Sequence, residues 1–160
     1  MQLDWHQNQK VQPMNTLTVV CPHCHKSNKI KIQESKEDIP CSACKKSLLE
    51  TTPLECDEQS FHAHLENNDI PVMVDFYSPS CAPCMKMAPD YETAASSFAL
   101  EVRFIKVNTE QYPELALSYG VNTLPTLIAF KKGKELNRFT SALPKMQLNM
   151  WAESLIQMVI

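Results

Sequence analysis

The sequence predicts an α/β fold, a mixed central sheet flanked by helices, with a small cysteine-rich module in front of it. Three observations lead there. From Thr52 onward, apolar strand-like runs alternate with helix-forming stretches; two C-x-x-C pairs precede that point; and a third C-x-x-C pair lies where a strand-like run gives way to a helical one. A chain of 160 residues accommodates one domain of about 110 residues and a small appendage.

Hydrophobic residues make up 44% and charged residues 21% of the chain, the balance of a soluble globular protein. No run approaches the roughly 18 apolar residues of a membrane helix, so no membrane association is expected. The opening "MQLDWHQNQKVQP" lacks the basic region and apolar core of a secretory signal. Residues 1–14 are expected to form a disordered tail, and the chain is expected in the cytoplasm. The net charge of -3 divides into +2 through Thr51 and -5 beyond it. Four thiolates on a divalent metal would bring the front part to about zero, so the positive surface that nucleic-acid binding needs is missing. Only Gly120 and Gly133 stand against 11 prolines, leaving Pro, Asn, Asp and Ser to form the turns.

The front module comprises residues 15–50. Cys21 and Cys24 in "CPHC", with Cys41 and Cys44 in "CSAC", leave 16 residues between the pairs. Each C-x-x-C forms a knuckle that turns two sulfurs toward one point, and two knuckles close a tetrahedral four-sulfur shell suited to one structural Zn²⁺. Few large apolar residues fall in the segment, so the metal is expected to hold it together. Iron in the same shell and two dispensable dithiols are the alternatives. His23 and His25 find no coordination position in a complete shell and are expected to be solvated.

The main domain, residues 52–160, opens with a short strand near Leu54. Asp57 is placed to cap a helix that runs to about Glu66. A strand follows over 71–78, a continuous apolar run typical of a buried central position. A helix over about 81–98 is expected to kink at Pro89. After a strand over 102–108, a short helix over 112–119 stops at Gly120. "TLIAF" and "ELNRFT" form a hairpin across "KKGK". A last helix over about 144–159 places Leu148, Trp151 and Leu155 on one face. The order is β-α-β-α-β-α-β-β-α.

Cys81 and Cys84 lie at the strand-to-helix junction. The positive end of the helix favours a thiolate at Cys81, making it the nucleophile; Cys84, one turn deeper, is placed to act as the resolving thiol. Asp75 falls inside the buried strand, where a carboxylate pays a desolvation cost usually tolerated for chemistry. It is a candidate acceptor for the Cys84 proton, with Lys106 nearby on the next strand; an Asp at a solvated strand edge is the alternative. Cys56 reads as a small buried hydrophobe, with a regulatory thiol as the alternative. Pro125 marks the start of a strand, and the residues alone favour an ordinary trans bond after Leu124.

"VDFYSPSCAPC", "FIKVN", "YGVNTLPT" and "FKKGKEL", in this order over roughly residues 54–160, resemble the successive signatures of the thioredoxin family. The four-cysteine module in front resembles the bacterial thioredoxin 2 subgroup. The resemblance implies the thioredoxin fold, with Cys81 attacking, Cys84 resolving, Asp75 as the buried acid, Lys106 as its neighbour and a cis Pro125 facing the dithiol. It further implies that cis Pro125 leaves Leu124's backbone free to pair with a substrate strand. Disulfide-containing client proteins and an NADPH-dependent thioredoxin reductase are the implied partners. The chain departs from the family at Ser80, Ala82 and Ser141, where Trp, Gly and Gly are usual. With Pro83, these positions line the surface on which clients dock, whereas the groups disulfide chemistry needs are all present.

The leading expectation is therefore a protein-disulfide reductase. A net oxidase or isomerase is a second reading. A zinc-ribbon adaptor with a vestigial dithiol is a third, kept open by Ser80 and Ser141. Release of Zn²⁺ on oxidation of its thiolates would make the ribbon a redox switch.

Overall fold

The computed structural model describes residues 16–31 and 38–157; the tail expected at 1–14 lies outside them. Strands β1 (Thr16–Val20) and β2 (Ser27–Lys31) form an antiparallel pair at the front. The main domain follows as β3 (Leu54–Glu55), α1 (Glu58–Asn67), β4 (Val72–Tyr77), α2 (Ala82–Ala95), β5 (Arg103–Asn108), α3 (Pro113–Ser118), β6 (Thr126–Lys131), β7 (Lys134–Phe139) and α4 (Lys145–Gln157). Its sheet has the order β3-β5-β4-β6-β7. Strands β3, β5 and β4 run parallel, while β6 and β7 pair antiparallel. The predicted order of elements holds, with ends among the described residues shifted by at most three residues.

Every residue of β4 is buried because this central strand has a helical layer on each face. Met73 packs with Tyr91, Leu148, Trp151 and Leu155 from α2 and α4. Val72, Val74 and Phe76 point the other way, to Phe61 and Leu65 of α1 and Leu115 of α3. The two-residue period of a strand thus assigns Asp75 and Tyr77 to the α2 side.

Local chemistry sets the boundaries. Asp57 caps α1 by accepting from the Ser60 N–H, and the Ser60 hydroxyl accepts from the Asp57 N–H, a reciprocal capping box. Helix α2 continues through Pro89, which is exposed. The β6–β7 turn is Lys132-Gly133, both at positive φ (53° and 81°), with Lys131 paired to Lys134. This is the two-residue geometry that matches the strands' twist. Tyr91 anchors α2 to the sheet, its hydroxyl lying 3.0 Å from the Met73 carbonyl and 2.9 Å from that of Ile105.

The front module is docked against the main domain. Thr18 N–H donates to Asp69 Oδ2 and Val20 N–H to Asn68 Oδ1, both at 2.8 Å. The buried Arg103 guanidinium donates to the Val20 carbonyl at 2.9 Å. His25 corrects an expectation. It is half-buried rather than solvated, with Nδ1 3.2 Å from Nε2 of the fully buried His64. Because Asn68 Oδ1 is taken by Val20, its Nδ2 must donate to His64 Nδ1, 3.2 Å away. His64 therefore carries its proton on Nε2 and donates to His25. Burial holds His64 neutral, at about 2.

Cys56 is 3% exposed among apolar neighbours, as a small buried hydrophobe should be. Burial pushes its thiol up to about 12, too high for a reactive thiolate.

Tyr91→Phe removes the hydroxyl that ties α2 to two sheet carbonyls. The expected loss is about 1 to 2 kcal/mol of unfolding free energy, read as a lower urea midpoint at unchanged slope.

Candidate functional site

The described residues hold two sulfur sites, one in the front module and one at the end of β4. In the front module, the four Sγ atoms of Cys21, Cys24, Cys41 and Cys44 lie within 4.8 Å of one another. Both knuckles fold alike. The Cys21 N–H donates to the Lys26 carbonyl and the Cys41 N–H to that of Lys46; His25 and Lys45 take φ of 67° and 71°. Backbone N–H groups of His23 and Cys24 point at Cys21 Sγ, and those of Ala43 and Cys44 at Cys41 Sγ. The Cys44 N–H, with Asn28 Nδ2, holds the Cys41 thiol down at about 5, while burial pushes Cys21 up to about 11. Four converging sulfurs with N–H donors turned toward two of them fit a metal ion that prefers thiolates.

The second site begins at the end of β4. Cys81 is the N-cap of α2, and its sulfur accepts from the Cys84 N–H at 3.3 Å. Cys81 and Cys84 are joined in a disulfide, with Cα atoms 5.3 Å apart. Cys81 is half-buried, whereas Cys84 is 1% exposed. One sulfur is therefore open to a partner at the positive helix end, and the other is shielded. Ala82 and Pro83 are exposed beside them in the first turn.

The Leu124–Pro125 bond is cis. Phe76 pairs with Thr126, so the next step along the ladder brings Pro125 to the end of β4, where the dithiol loop departs. Leu124 is half-buried. Ser141 is exposed, next to the segment whose Leu143 N–H lies 3.5 Å from Met87 Sδ in α2. The loop before α4 thereby borders the helix that carries the dithiol.

Asp75 is 1% exposed, and its Oδ1 has no hydrogen-bond partner among the described residues. Burial pushes its carboxyl up to about 7, with Lys106 pulling it down and Glu55 pushing it up. Lys106 is its register neighbour on β5. An acid poised near neutrality on the face that carries α2 is suited to taking and returning a proton.

Sequence reasoning named Ser80 and Lys106 but missed the groups that contact them. Glu110 Oε2 accepts hydrogen bonds from the hydroxyls of both Ser78 and Ser80, and these hydroxyls hold the Glu110 carboxyl below the ordinary range. The Ser80 N–H donates to Ser78 Oγ at 3.1 Å. Glu55 and Tyr77 form a second cluster beside Lys106. The available signal was topological, since Ser78, Ser80 and Glu110 follow the carboxyl ends of adjacent parallel strands, where sites in such sheets gather.

The raised Asp75 has a stability consequence with a definite sign. Its folded state binds the proton more tightly than the unfolded chain does. The favourable contribution is complete below about 4, the unfolded value, and is lost as pH rises through about 7. Asp75→Asn is thus expected to raise stability at pH 8, on the order of a few kcal/mol, and to give no such gain at pH 4. Thermal unfolding at both pH values checks this.

The thioredoxin family profile matches residues 52–154. Thioredoxin C-3 from Corynebacterium nephridii is 31% identical over 141 residues, covering 88% of this chain and 97% of its own length. That match must extend into the front module, because the chain has fewer than 141 residues from Thr52 onward. Thioredoxin 1 from Nostoc sp. is 34% identical over 96 residues, 60% of this chain and 90% of its own. Among solved structures, a mutant thioredoxin from Halobacterium salinarum NRC-1 superposes with a TM-score of 0.61 at 27% identity, covering 66% of this chain and 92% of its own. With the profile spanning well over half the chain and falling on the observed sheet and dithiol, this protein belongs to the thioredoxin family of thiol-disulfide oxidoreductases.

Proposed function

We propose that the chain is a protein-disulfide reductase whose redox centre is Cys81–Cys84. The observation that carries this reading is the asymmetry of the pair: Cys81 half-buried at the N-cap of α2, Cys84 almost wholly enclosed. In the reduced enzyme the Cys81 thiolate attacks a client disulfide. A bond forms between Cys81 Sγ and one client sulfur, and the other client sulfur leaves as a thiolate. Cys84 then gives its proton to the Asp75 carboxylate and attacks Cys81 Sγ. The second client sulfur leaves and is protonated, so the client gains two electrons and the enzyme dithiol becomes a disulfide. Lys106 lowers the cost of a charged Asp75, and Leu124 offers backbone groups beside cis Pro125 to an extended client segment. Ser80, Ala82, Pro83 and Ser141 form the surface that clients meet.

Clients are disulfide-containing proteins, and an NADPH-dependent thioredoxin reductase restores the dithiol. The division into residues 15–50 and 52–160, with one Zn²⁺ held by Cys21, Cys24, Cys41 and Cys44, belongs to the same reading, as does membership of the thioredoxin 2 subgroup. The metal's role is structural. Four metal thiolates and a reduced dithiol are best preserved in a reducing compartment, which supports the cytoplasm. No helix of the described residues is long and apolar enough to cross a membrane.

Insulin reduction with dithiothreitol as electron donor tests the reaction. The wild type is expected to accelerate it and Cys81→Ser to abolish the acceleration. Cys84→Ser is expected to accumulate mixed disulfides with clients. Undiminished turnover in Cys81→Ser overturns the assignment. Metal analysis tests the ribbon: about one zinc per chain is expected, lost in Cys41→Ser together with a lower melting temperature.

A further inference from the structure

The α2 side of the sheet has a cavity rimmed by Glu55, Lys106, Tyr91 and Glu92. Its chemistry differs from a simple acid–lysine pair. The Tyr77 hydroxyl donates to Glu55 Oε2 at 2.5 Å. Lys106 Nζ lies 3.9 Å from the same oxygen and 4.4 Å from the centre of the Tyr77 ring. Lys106 is also the register neighbour of Asp75, yet Asp75 Oδ1 has no partner among the described residues. Glu55 thus lies one strand beyond Lys106, opposite it in register on β3.

We propose that Glu55 is a positioning residue for proton transfer: with Tyr77 it holds the Lys106 ammonium at the cavity rim, away from Asp75, and so sets how tightly Asp75 keeps its proton. The inference rests on the reductase reading, in which Asp75 takes the Cys84 proton. A Lys106 ammonium shared with Glu55 neutralises Asp75 less than one paired with Asp75 alone. The Glu55 carboxylate adds a negative charge of its own on the same face. Both effects favour the protonated acid, in the direction that Glu55 already acts on Asp75.

The other groups facing Asp75 are few. Tyr77 on its own strand and Tyr91 on α2 are neutral phenols, both pushed above the ordinary range by burial. Cys84 comes from the first turn of α2, and Glu92 stands on the cavity rim outside the hydrogen-bonded cluster. From β6 the register partner is Leu127, which does not titrate. Glu55 and Lys106 are therefore the two charged groups from the neighbouring strands.

The test is an NMR titration of the Asp75 side-chain carboxyl in the oxidised, full-length, zinc-loaded protein. Glu55→Gln keeps the size of the side chain and an oxygen for the Tyr77 hydroxyl. It is expected to lower the Asp75 midpoint by about half a pH unit or more, a threefold or larger change in the proton equilibrium. Lys106→Met is expected to raise it, and Glu92→Gln to move it less than Glu55→Gln does. In insulin reduction, the acid limb of the kcat/KM profile is expected to move downward in Glu55→Gln by the same amount. An unmoved or rising midpoint in Glu55→Gln, or an equal fall in Glu92→Gln, overturns the proposal. The titration needs no turnover, so absence of reductase activity defeats the functional reading without altering this result.

Discussion

Strand β4 is enclosed on both faces and paired along both edges, and the dithiol site depends on that enclosure. A strand so placed contributes apolar surface to two cores at once, through Met73 on one side and Val72, Val74 and Phe76 on the other. It also fixes the point where α2 begins, because the loop to Cys81 leaves directly from its end. The cost of this arrangement falls on Asp75. A carboxyl in such a strand loses its water, and no donor among the described residues replaces it at Oδ1. The acid is consequently neutral over much of the acidic range and becomes charged near pH 7. The burial that stabilises the sheet thereby supplies a group of suitable proton affinity beside the helix that carries both sulfurs.

The front module meets the same sheet from another direction. Arg103 at the start of β5 has its guanidinium on the Val20 carbonyl, one residue before Cys21. The path from His25 through His64 and Asn68 to the Val20 N–H closes a second link between the first knuckle and α1. The module's interior is small: Val19, Val20, Cys21, Cys41 and Leu48 are fully buried, and Ile30 and Ile39, with Leu100 of the main domain, pack onto the cluster of Cys21, Cys41 and Leu48. Directed polar links therefore join the module to the main domain, while the cysteines share its small interior with a few aliphatic side chains. In the main domain the balance is reversed, with large apolar side chains on both faces of the sheet.

Most of this architecture was legible in the sequence because it depends on patterns local to the chain. The run "PVMVDFY" announced a buried strand, Asp57 a helix cap, and the paired C-x-x-C units two knuckles. The isomer at Pro125 was not local information. The residues alone favoured trans, and only the resemblance to the thioredoxin family implied the cis bond that is present. His25 was misjudged for a related reason: its partner His64 lies 39 positions away, beyond any spacing rule. Glu55, Tyr77 and Glu110 escaped notice because charged and hydroxylated residues at strand ends are ordinary in sequence and become a cluster only when parallel strands align. The low glycine count has a similar resolution. His25, Lys45, Leu100 and Lys132 occupy positive-φ positions alongside the two glycines, so the chain makes left-handed turns with residues that do not advertise them.

The loop before Cys81 is held by polar contacts. Ser80 cannot offer a flat apolar face, and its hydroxyl is engaged by Glu110 together with Ser78. Those bonds tie the loop before Cys81 to the end of β5, giving it order through charge-assisted contacts. The result is a carboxylate on the rim beside Cys81, where Glu110 is exposed. Order of the loop and character of the rim have thus been changed together, because the same oxygen supplies both. Cys81 itself is joined to this loop, its N–H donating to the Ser78 carbonyl at 3.1 Å. The half-buried Cys81 is thus bordered by a polar edge that carries the exposed Glu110 carboxylate, and the dithiol and that edge share one loop.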